Sequence, residues 1–210
     1  IIPEGIPLKR ATLASNMETV INAMWDSHCS IGDKILIVGF GIIGALLALT
    51  LKSVPGISLS TLEIEPTKQN LAREWDIPCF GSYDEMDSSF DIAFNCSANG
   101  RGLQTCIDKT GLQGTVVDMS WYGTNPVKLD LGGTFHSKRK RIIASQVSRI
   151  PIEKAGLWDN KRRKELVFSL LQNPFYDKLI TREIYFEETP EFFERLRKEY
   201  SHDIGILIKY

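Results

Sequence analysis

The chain has 210 residues, enough for one large domain or for one domain with part of another. Hydrophobic residues make up 43% of it, and its formal net charge of −1 leaves no global field that would attract nucleic acid or an anionic membrane. The longest apolar run, 35–50, is too short for a bilayer span. The first residues, IIPEGIPLKR, carry neither a signal peptide nor an initiating Met, so we expect a cytoplasmic piece of a longer protein.

The cysteines and histidines do not form a metal-binding pattern. There is no CxxC spacing, no HExxH and no His partner at zinc-finger spacing. We therefore expect four buried or partly buried thiols in a reducing compartment and no metal site built from these residues alone, the cysteines being Cys29, Cys79, Cys96 and Cys106.

Strands and helices alternate in the first two thirds of the chain. Hydrophobic spacing predicts helices at 11–29, 42–52, 66–75 and 102–110. It predicts strands at 34–40, 57–64, 91–96, 114–119 and 141–145. The first strand is apolar on both faces, as strands of a parallel sheet are. This alternation predicts an α/β fold with a parallel sheet and helices on both of its faces.

The pattern changes after about residue 146. The segment 148–164 is polar and predicted to be irregular, and it is followed by a helix at 165–174 and a strand at 181–186. A helix at 189–200 is predicted with Thr189 as its N-cap and Pro190 at its first position, and a last strand at 205–210. No internal repeat or low-complexity segment is visible.

Three glycines stand where the first predicted strand gives way to its helix, in VGFGIIG. Gly39 permits a tight turn, Gly41 lets a pyrophosphate approach the backbone, and Gly44 lets helix and strand pack closely. The N-terminus of the helix supplies N–H donors and the positive end of a dipole, so a polar side chain is not needed. The segment therefore predicts a dinucleotide-binding loop.

An acidic residue follows at the expected distance. Glu63 ends the second strand, 24 residues after Gly39, where the acid of a dinucleotide site accepts hydrogen bonds from the adenosine ribose. A carboxylate there repels a 2′-phosphate and favours NAD over NADP. Lys68, one helical turn further, is within reach of the ribose or phosphates, whereas Glu65 and the basic run 138–141 are interpreted as solvated surface.

With these features, the sequence resembles the medium-chain, zinc-type alcohol dehydrogenases. The stretches GDKILIVGFGIIG, LEIEPTKQNLA, FDIAFNCSA and GLQGTVVDMSW are similar to their coenzyme domain, and LVFSLLQNPFYDKLITREIYFEETPEFFERL is similar to their C-terminal segment. The resemblance implies a Rossmann-type doubly wound parallel sheet. It divides the chain into a leading segment (1–10), an NAD-binding domain (11–146) and a C-terminal segment that returns to the catalytic domain (147–210).

The resemblance also implies roles for individual residues. The pyrophosphate would be held by Gly39, Gly41, Ile42, Ile43 and Gly44, and the adenosine ribose by Glu63 and Lys68. The adenine-side crevice would be lined by Ser97 and Ala98, and the nicotinamide amide would face Asp118, Met119 and Ser120, with Ser145 and Gln146 nearby. From its position alone, Asp118 is either a ligand-edge residue or a cap.

The activity implied is hydride transfer between the nicotinamide of NAD and a small alcohol or carbonyl substrate, with zinc as Lewis acid. The family's N-terminal GroES-like domain, which carries most zinc ligands, has no counterpart here, so zinc is expected only together with that domain. Ser15 matches one further ligand position, with Glu18 a turn away, although a surface role for Glu18 is the simpler interpretation. Gly205 stands where some members place a pyrophosphate-binding arginine.

Three other features remain open. Trp121 and Tyr122 are interpreted either as aromatic contacts at the domain cleft or as residues that pack against the tail. The segment PVKLDLGGTF is a candidate sheet edge for a homodimer. Catalytic residues within this chain are not identified.

Two other classes of protein compete with the dehydrogenase interpretation. A methyltransferase that uses S-adenosylmethionine also has a glycine-rich first turn, but usually GxGxG with an acid before it, where this chain has Val38. A non-catalytic nucleotide-binding module is the second alternative. A short-chain dehydrogenase is excluded because no Tyr has Lys four residues later.

Overall fold

The computed structural model describes residues 2–86, 89–199 and 201–210. Ile1 of the predicted leading segment and Tyr200 of the predicted last helix lie outside them. Within the described residues a six-stranded sheet is formed by β1 (Lys34–Val38), β2 (Ser58–Leu62), β3 (Cys79–Phe80), β4 (Phe90–Asn95), β5 (Thr110–Asp118) and β6 (Arg141–Ala144). A separate two-stranded sheet is formed by β7 (Ile180–Tyr185) and β8 (Gly205–Lys209).

All neighbouring strands of the large sheet are parallel, in the order β3-β2-β1-β4-β5-β6. The chain runs outward from β1 to β3 and then returns to β4 beside β1, which places the topological switch point between β1 and β4. The predicted Rossmann-type doubly wound sheet is therefore confirmed.

One row of paired residues crosses the sheet at its carboxyl edge. Val38 pairs with Leu62 on one side and with Asn95 on the other, Asn95 pairs with Asp118, and Asp118 pairs with Ala144. Since the strands are parallel, the segments that follow these five residues all emerge at the same edge. These segments contain nearly every site residue that the sequence predicted.

The helices form layers on the two faces of the sheet. The α-helices of the described residues are α1 (Leu8–Ala11), α2 (Ala14–Ser27), α3 (Ile42–Lys52), α4 (Pro66–Glu74), α5 (Gly100–Lys109), α6 (Thr134–Ser137), α7 (Ile152–Ala155), α8 (Asn160–Leu170) and α9 (Thr189–Lys198). One core cluster joins residues of α2, α3, α4 and α8 to Ile35 and Ile37 of β1. A second cluster joins α5 to Leu36 and Val38, so β1 is buried on both faces, as its sequence predicted.

The C-terminal segment contributes to the first of these clusters. Val167 and Leu171 from the α8 region, together with Leu179, are fully buried in the same cluster as Met17 of α2 and Leu47 of α3. The domain boundary at residue 146 stays a prediction, and the described residues on its two sides share one core.

Several predicted elements are wrong or have different bounds. The segment 148–164 is not irregular throughout, because it contains α7 and the first turn of α8, where Asp159 accepts a hydrogen bond from the Arg162 N–H at 2.7 Å. Thr189 is not an N-cap but the first residue of α9, which follows directly on a 3₁₀ turn. The segment 126–133 forms no strand, so the open edge of the sheet on this side is β6.

Smaller differences concern the ends of elements. The helix predicted at 11–29 is shorter, since α2 spans Ala14–Ser27 and the separate α1 precedes it, and the strand predicted at 34–40 ends at Val38, where the glycine-rich turn begins. The helix predicted at 102–110 starts at Gly100, where Asn99 accepts a hydrogen bond from the Arg101 N–H at 2.8 Å and caps it. Thr110 instead begins β5.

Ionic contacts join the first and last parts of the described chain. Arg10 donates through Nε and Nη2 to the two carboxylate oxygens of Asp177, at 2.8 and 2.7 Å, and through Nη1 to the carbonyls of Leu171 and Gln172. Glu183 of β7 pairs with Lys9 at 2.6 Å and with Lys209 of β8 at 3.0 Å. The segment before α2 is thereby fixed against the C-terminal segment.

Candidate dinucleotide-binding site

The glycine-rich loop folds tightly between β1 and α3. Gly39 has a φ of 97°, which favours glycine, and its N–H donates to the carbonyl of Leu62 at 2.8 Å. A Cβ at Gly44 would lie 1.9 Å from the carbonyl oxygen of Gly39. These two positions therefore require glycine for the turn and for close packing of the helix on the strand.

Gly41 differs from Gly39 and Gly44, because the space beside its Cα is open. It occupies the N-cap position of α3 in extended conformation, and a Cβ placed there would meet no atom within 4 Å. No side chain caps the first turn of α3. The N–H groups of Ile42, Ile43 and Gly44 begin this turn, so a helix N-terminus with open space before it stands at the switch point.

Glu63 lies directly beside this loop and is 6% exposed. Its Oε2 accepts a hydrogen bond from the N–H of Phe40 at 2.8 Å, and its Oε1 accepts one from the N–H of Glu65 at 2.9 Å. Each carboxylate oxygen retains a further acceptor position, so these bonds leave capacity for ribose hydroxyls. The acid predicted from sequence spacing thus lies next to the glycines and also holds their loop.

Glu65 is not solvated surface, which corrects the sequence interpretation. It is 8% exposed and caps α4 by accepting hydrogen bonds from the N–H groups of Thr67 and Lys68, at 3.1 and 2.9 Å. His202 of the C-terminal segment approaches its Oε1 at 3.0 Å. Burial alone would raise the pKa of Glu65, but the two N–H groups and His202 hold it below its usual value. Lys68 is also buried on this turn.

A polar network connects the ends of β4 and β5, and Asn95 is at its centre. Asn95 is fully buried, donates through Nδ2 to the Tyr122 hydroxyl at 2.7 Å and to Asp118 at 3.0 Å, and accepts from the Ser97 hydroxyl at 2.7 Å. Ser120 accepts a hydrogen bond from the N–H of Ala98 at 3.0 Å. Asn95 was missed from the sequence, although a polar residue within the apolar run DIAFNC is a visible signal.

The roles left open for Asp118 and the aromatic pair can now be described. Asp118 accepts from the Ser120 N–H and from the Tyr122 hydroxyl, both at 3.2 Å, so its side chain stabilises the turn that follows β5. Burial and then the Asp118 charge raise the pKa of Tyr122 to about 12. Tyr122 packs against the α5 cluster and not against the tail, whereas Trp121 is 87% exposed.

The segment after β6 adjoins the same edge. The N–H of Ser145 donates to the carbonyl of Asp118 at 3.1 Å, and the Ser145 hydroxyl donates to Asp26 of α2 at 2.6 Å. Gln146 is exposed and its side chain accepts from the N–H of Ser148. Met119 lies with its sulfur 3.7 Å from that of Cys96. The structure therefore brings all five predicted site segments to one edge, while the ligand role of each residue stays a prediction.

The surroundings of Ser15 and Glu18, considered for zinc, and of Gly205, considered for a pyrophosphate clamp, are defined by the structure. Ser15 is exposed, and Glu18 pairs with Arg163 at 3.4 Å and with Lys164 at 3.6 Å. Among residues 2–86, 89–199 and 201–210 no group of three or more His, Cys, Asp or Glu could hold a metal ion. A Cβ at Gly205 would lie 2.6 Å from the Leu179 carbonyl, beside Ile42, so a larger residue requires a backbone shift there.

Comparison with solved structures shows where else this architecture occurs. The chain superimposes over its full length on 2R,3R-butanediol dehydrogenase from Bacillus subtilis with a TM-score of 0.79 and 20% identity, covering 60% of that protein. For an alcohol dehydrogenase from Thermus sp. ATN1 the TM-score is 0.80, the identity 13% and the coverage 100% and 61% of the two chains. For acetophenone reductase from Geotrichum candidum, in complex with NAD, the values are 0.78, 18%, 100% and 58%.

The chain therefore shares its fold with part of each of these dehydrogenase structures, and the resemblance stated from the sequence is confirmed at the level of fold. It spans about 60% of the length of these structures. No protein-family model matches the chain, and no curated protein matches it either. No helix in the described part of the chain has the length and apolar character to cross a membrane.

Proposed function

We propose that this chain binds NAD(H) and forms the coenzyme-binding portion of an alcohol or polyol dehydrogenase. The observation that carries the proposal is the open helix N-terminus at Gly41 beside the buried carboxylate of Glu63. A pyrophosphate needs unobstructed N–H donors, and a ribose needs acceptors at the end of the adjacent strand. Both requirements are met by residues that the sheet register places next to each other.

The residues present fit a nicotinamide dinucleotide in three respects. The backbone of 41–44 supplies N–H donors without a side chain in front of them, and Glu63 keeps acceptor capacity after its two backbone bonds. The row of paired residues at the carboxyl edge extends over five strands, from β2 to β6. A row of this width can support both halves of a dinucleotide. When bound, the nicotinamide would accept or donate the hydride that interconverts an alcohol and a carbonyl compound.

The carboxylates favour NAD over NADP in this proposal. Glu63 and Glu65 stand at the end of β2, where a 2′-phosphate would be placed, and the lowered pKa of Glu65 keeps that group ionised at neutral pH. Lys68 brings positive charge to the same turn, which moderates the repulsion. Other structures with this fold hold NADH or NADP, so the preference has to be measured.

The substrate and any zinc ion belong to the whole enzyme in this proposal. We infer a small alcohol or carbonyl substrate and a homodimer from the resemblance. No described residue cluster offers a zinc site, so the Lewis acid would depend on a catalytic domain of the GroES-like type. The described residues bind and orient the coenzyme at the edge where that domain would meet it.

Titration calorimetry with NADH, NADPH and S-adenosylmethionine tests the proposal, on the wild-type chain and on Glu63→Ala. We expect NADH to bind most tightly and the substitution to weaken it by about tenfold or more, which corresponds to about 1.4 kcal/mol. Glu74→Gln, an exposed acid on α4, is the matched control and should bind like the wild type. Binding of S-adenosylmethionine alone would instead support a methyltransferase, and binding of none of the three would overturn the proposal.

A further inference from the structure

Two buried polar side chains hold the segment that follows β6. Asn22 of α2 is 1% exposed and Arg163 of α8 is 5% exposed. Arg163 Nη1 donates to Asn22 Oδ1 at 2.9 Å and to the carbonyl of Val147 at 2.8 Å. Asn22 Nδ2 donates to the carbonyls of Arg149 and Gln146, at 3.0 and 3.3 Å. We call residues 146–149 the β6 loop; three of its four carbonyls accept from these two side chains.

The network continues to the start of the β6 loop and includes two carboxylates. Asp26 accepts from the Ser145 hydroxyl at 2.6 Å and from Asn22 Nδ2 at 3.2 Å. Glu18 lies 3.4 Å from Arg163 Nη2. Arg163 Nε is buried and has no hydrogen-bond partner among the described residues. Burying a cation with one unsatisfied donor lowers the stability of a fold, and apolar side chains of similar volume often stabilise it as well or better.

The β6 loop lies on the side of the site toward which the second half of a bound dinucleotide would extend. The pyrophosphate position lies at α3, between β1 and β4, and the ribose acid Glu63 lies on the β2 side of it. A dinucleotide has two nucleoside halves, so the half opposite the adenosine must extend over β4, β5 and β6. Ser145, bonded to the carbonyl of Asp118, begins the β6 loop at the end of that row.

We propose that Asn22 and Arg163 are positioning residues that fix the β6 loop for the nicotinamide half of the bound dinucleotide. The inference rests on the proposed function and adds residues from α2 and α8, outside the glycine-rich loop and the strand ends. The two side chains act through the backbone of the loop, and they do not themselves contact the coenzyme. Their removal therefore affects binding of the nicotinamide ring but not binding of the rest of the dinucleotide.

Two ligands and two neighbouring arginines make the test specific. ADP-ribose contains the adenosine, the pyrophosphate and the second ribose of NADH, and it lacks the nicotinamide ring alone. For Arg163→Met we expect NADH to bind about tenfold more weakly while ADP-ribose keeps its affinity within about twofold. Arg162→Met is the control, since Arg162 is exposed, stacks on Trp158 and donates to the carbonyl of Leu157, and it should leave both affinities unchanged.

A second variant keeps the test decisive if Arg163→Met does not fold. Asp26→Ala removes the acceptor of the Ser145 hydroxyl and of Asn22 Nδ2 at a partly exposed position of α2, and it should lower the preference for NADH over ADP-ribose in the same direction. Equal losses for both ligands, or an unchanged preference in the folded variants, would overturn the positioning role. A wild-type chain that binds NADH no better than ADP-ribose would overturn it as well. A wild-type chain that binds neither ligand would overturn the proposed function itself.

Discussion

Glu63 Oε2 accepts a hydrogen bond from the N–H of Phe40 at 2.8 Å, which joins the end of β2 to the middle of the glycine-rich loop. The same carboxylate accepts from Glu65 at the start of the next turn. The acid therefore fixes the shape of the loop before any ligand is present. A substitution at Glu63 should change both the stability of the loop and its affinity for a dinucleotide.

Glu63→Gln should reveal both effects. The amide nitrogen of Gln would face one of two buried backbone donors, so we expect the free energy of unfolding to fall by about 1–3 kcal/mol. The preference for NADH over NADPH should fall too, because one negative charge near the 2′ position is removed. Urea unfolding and calorimetry measure the two effects. An unchanged stability would show that the carboxylate does not hold the loop.

Two glycines of the loop should respond differently to the same substitution. Gly44→Ala places a methyl group 1.9 Å from the carbonyl of Gly39, so we expect a loss of about 2 kcal/mol or more in the free energy of unfolding. Gly41→Ala meets no atom within 4 Å and should cost less than about 1 kcal/mol.

For NADH binding, Gly41→Ala is the informative substitution, although it costs little stability. Gly41→Ala should weaken NADH binding by about tenfold or more in a normally folded protein, because its methyl group stands in front of the helix N-terminus. Thermal unfolding and calorimetry on each variant provide the comparison. Normal NADH affinity in Gly41→Ala would remove the pyrophosphate from this position.

The ion pair between Arg10 and Asp177 should make stability depend on pH. The hydrogen bonds from Arg10 hold the pKa of Asp177 below its usual value, against a smaller opposing effect of burial. A carboxylate with a lowered folded-state pKa contributes stability that is present above its unfolded pKa, about 3.9, and is lost as the pH falls through the folded value. Asp177→Asn should therefore destabilise the protein at pH 7 but not near pH 2.

The expected size of this effect is modest. The Asp177 side chain is 40% exposed, so solvent screening limits the difference at pH 7 to about 1 kcal/mol. Asp76→Asn, which breaks an exposed pair with Lys52, serves as the control and should show a smaller difference. Urea unfolding at several pH values measures both variants. A constant difference between pH 2 and pH 7 would contradict the assignment.

The thiols should react in an order set by burial. Burial raises the pKa of Cys96 to about 12 and that of Cys106 well above its usual value, so both carry little thiolate at pH 8. Cys29 and Cys79 are partly exposed, as Cys96 is, and burial raises their pKa values without the large shift found at Cys96. Mass spectrometry after iodoacetamide treatment should find modification first at Cys29 and Cys79. Cys106 should react only in urea, and its rapid modification in the native protein would contradict this order.

The β1–α3–β2 unit could be predicted from the sequence because its signals are local. An apolar strand, glycines at 39, 41 and 44 and an acid at the next strand end are all read within 31 residues, 33–63. Glu65 could also have been assigned, since an acid directly before Pro66 is an N-cap signal. The charged stretch around it favoured a surface interpretation, which was wrong.

Arg163 could not be distinguished from its neighbours in the sequence. The run KRRK, 161–164, contains four adjacent cations, and their helical positions alone do not say which one is buried. Only the packing of α8 on α2 places Arg163 against Asn22 while Arg162 faces solvent. Asn95 is similar, because its partners Tyr122 and Asp118 come from the next strand and the loop beyond it. Long-range polar networks of this kind leave no periodic signal.

Lys9 and Lys209 both pair with Glu183, so the first helix of the chain and its last strand meet at one carboxylate. The two ends of the described chain therefore lie close to each other. A circular permutant, in which a short linker joins the present ends and new termini are opened at the exposed Gly132–Gly133 turn, would keep every strand pairing of both sheets. The order in which the elements follow one another is therefore separable from the fold that they build.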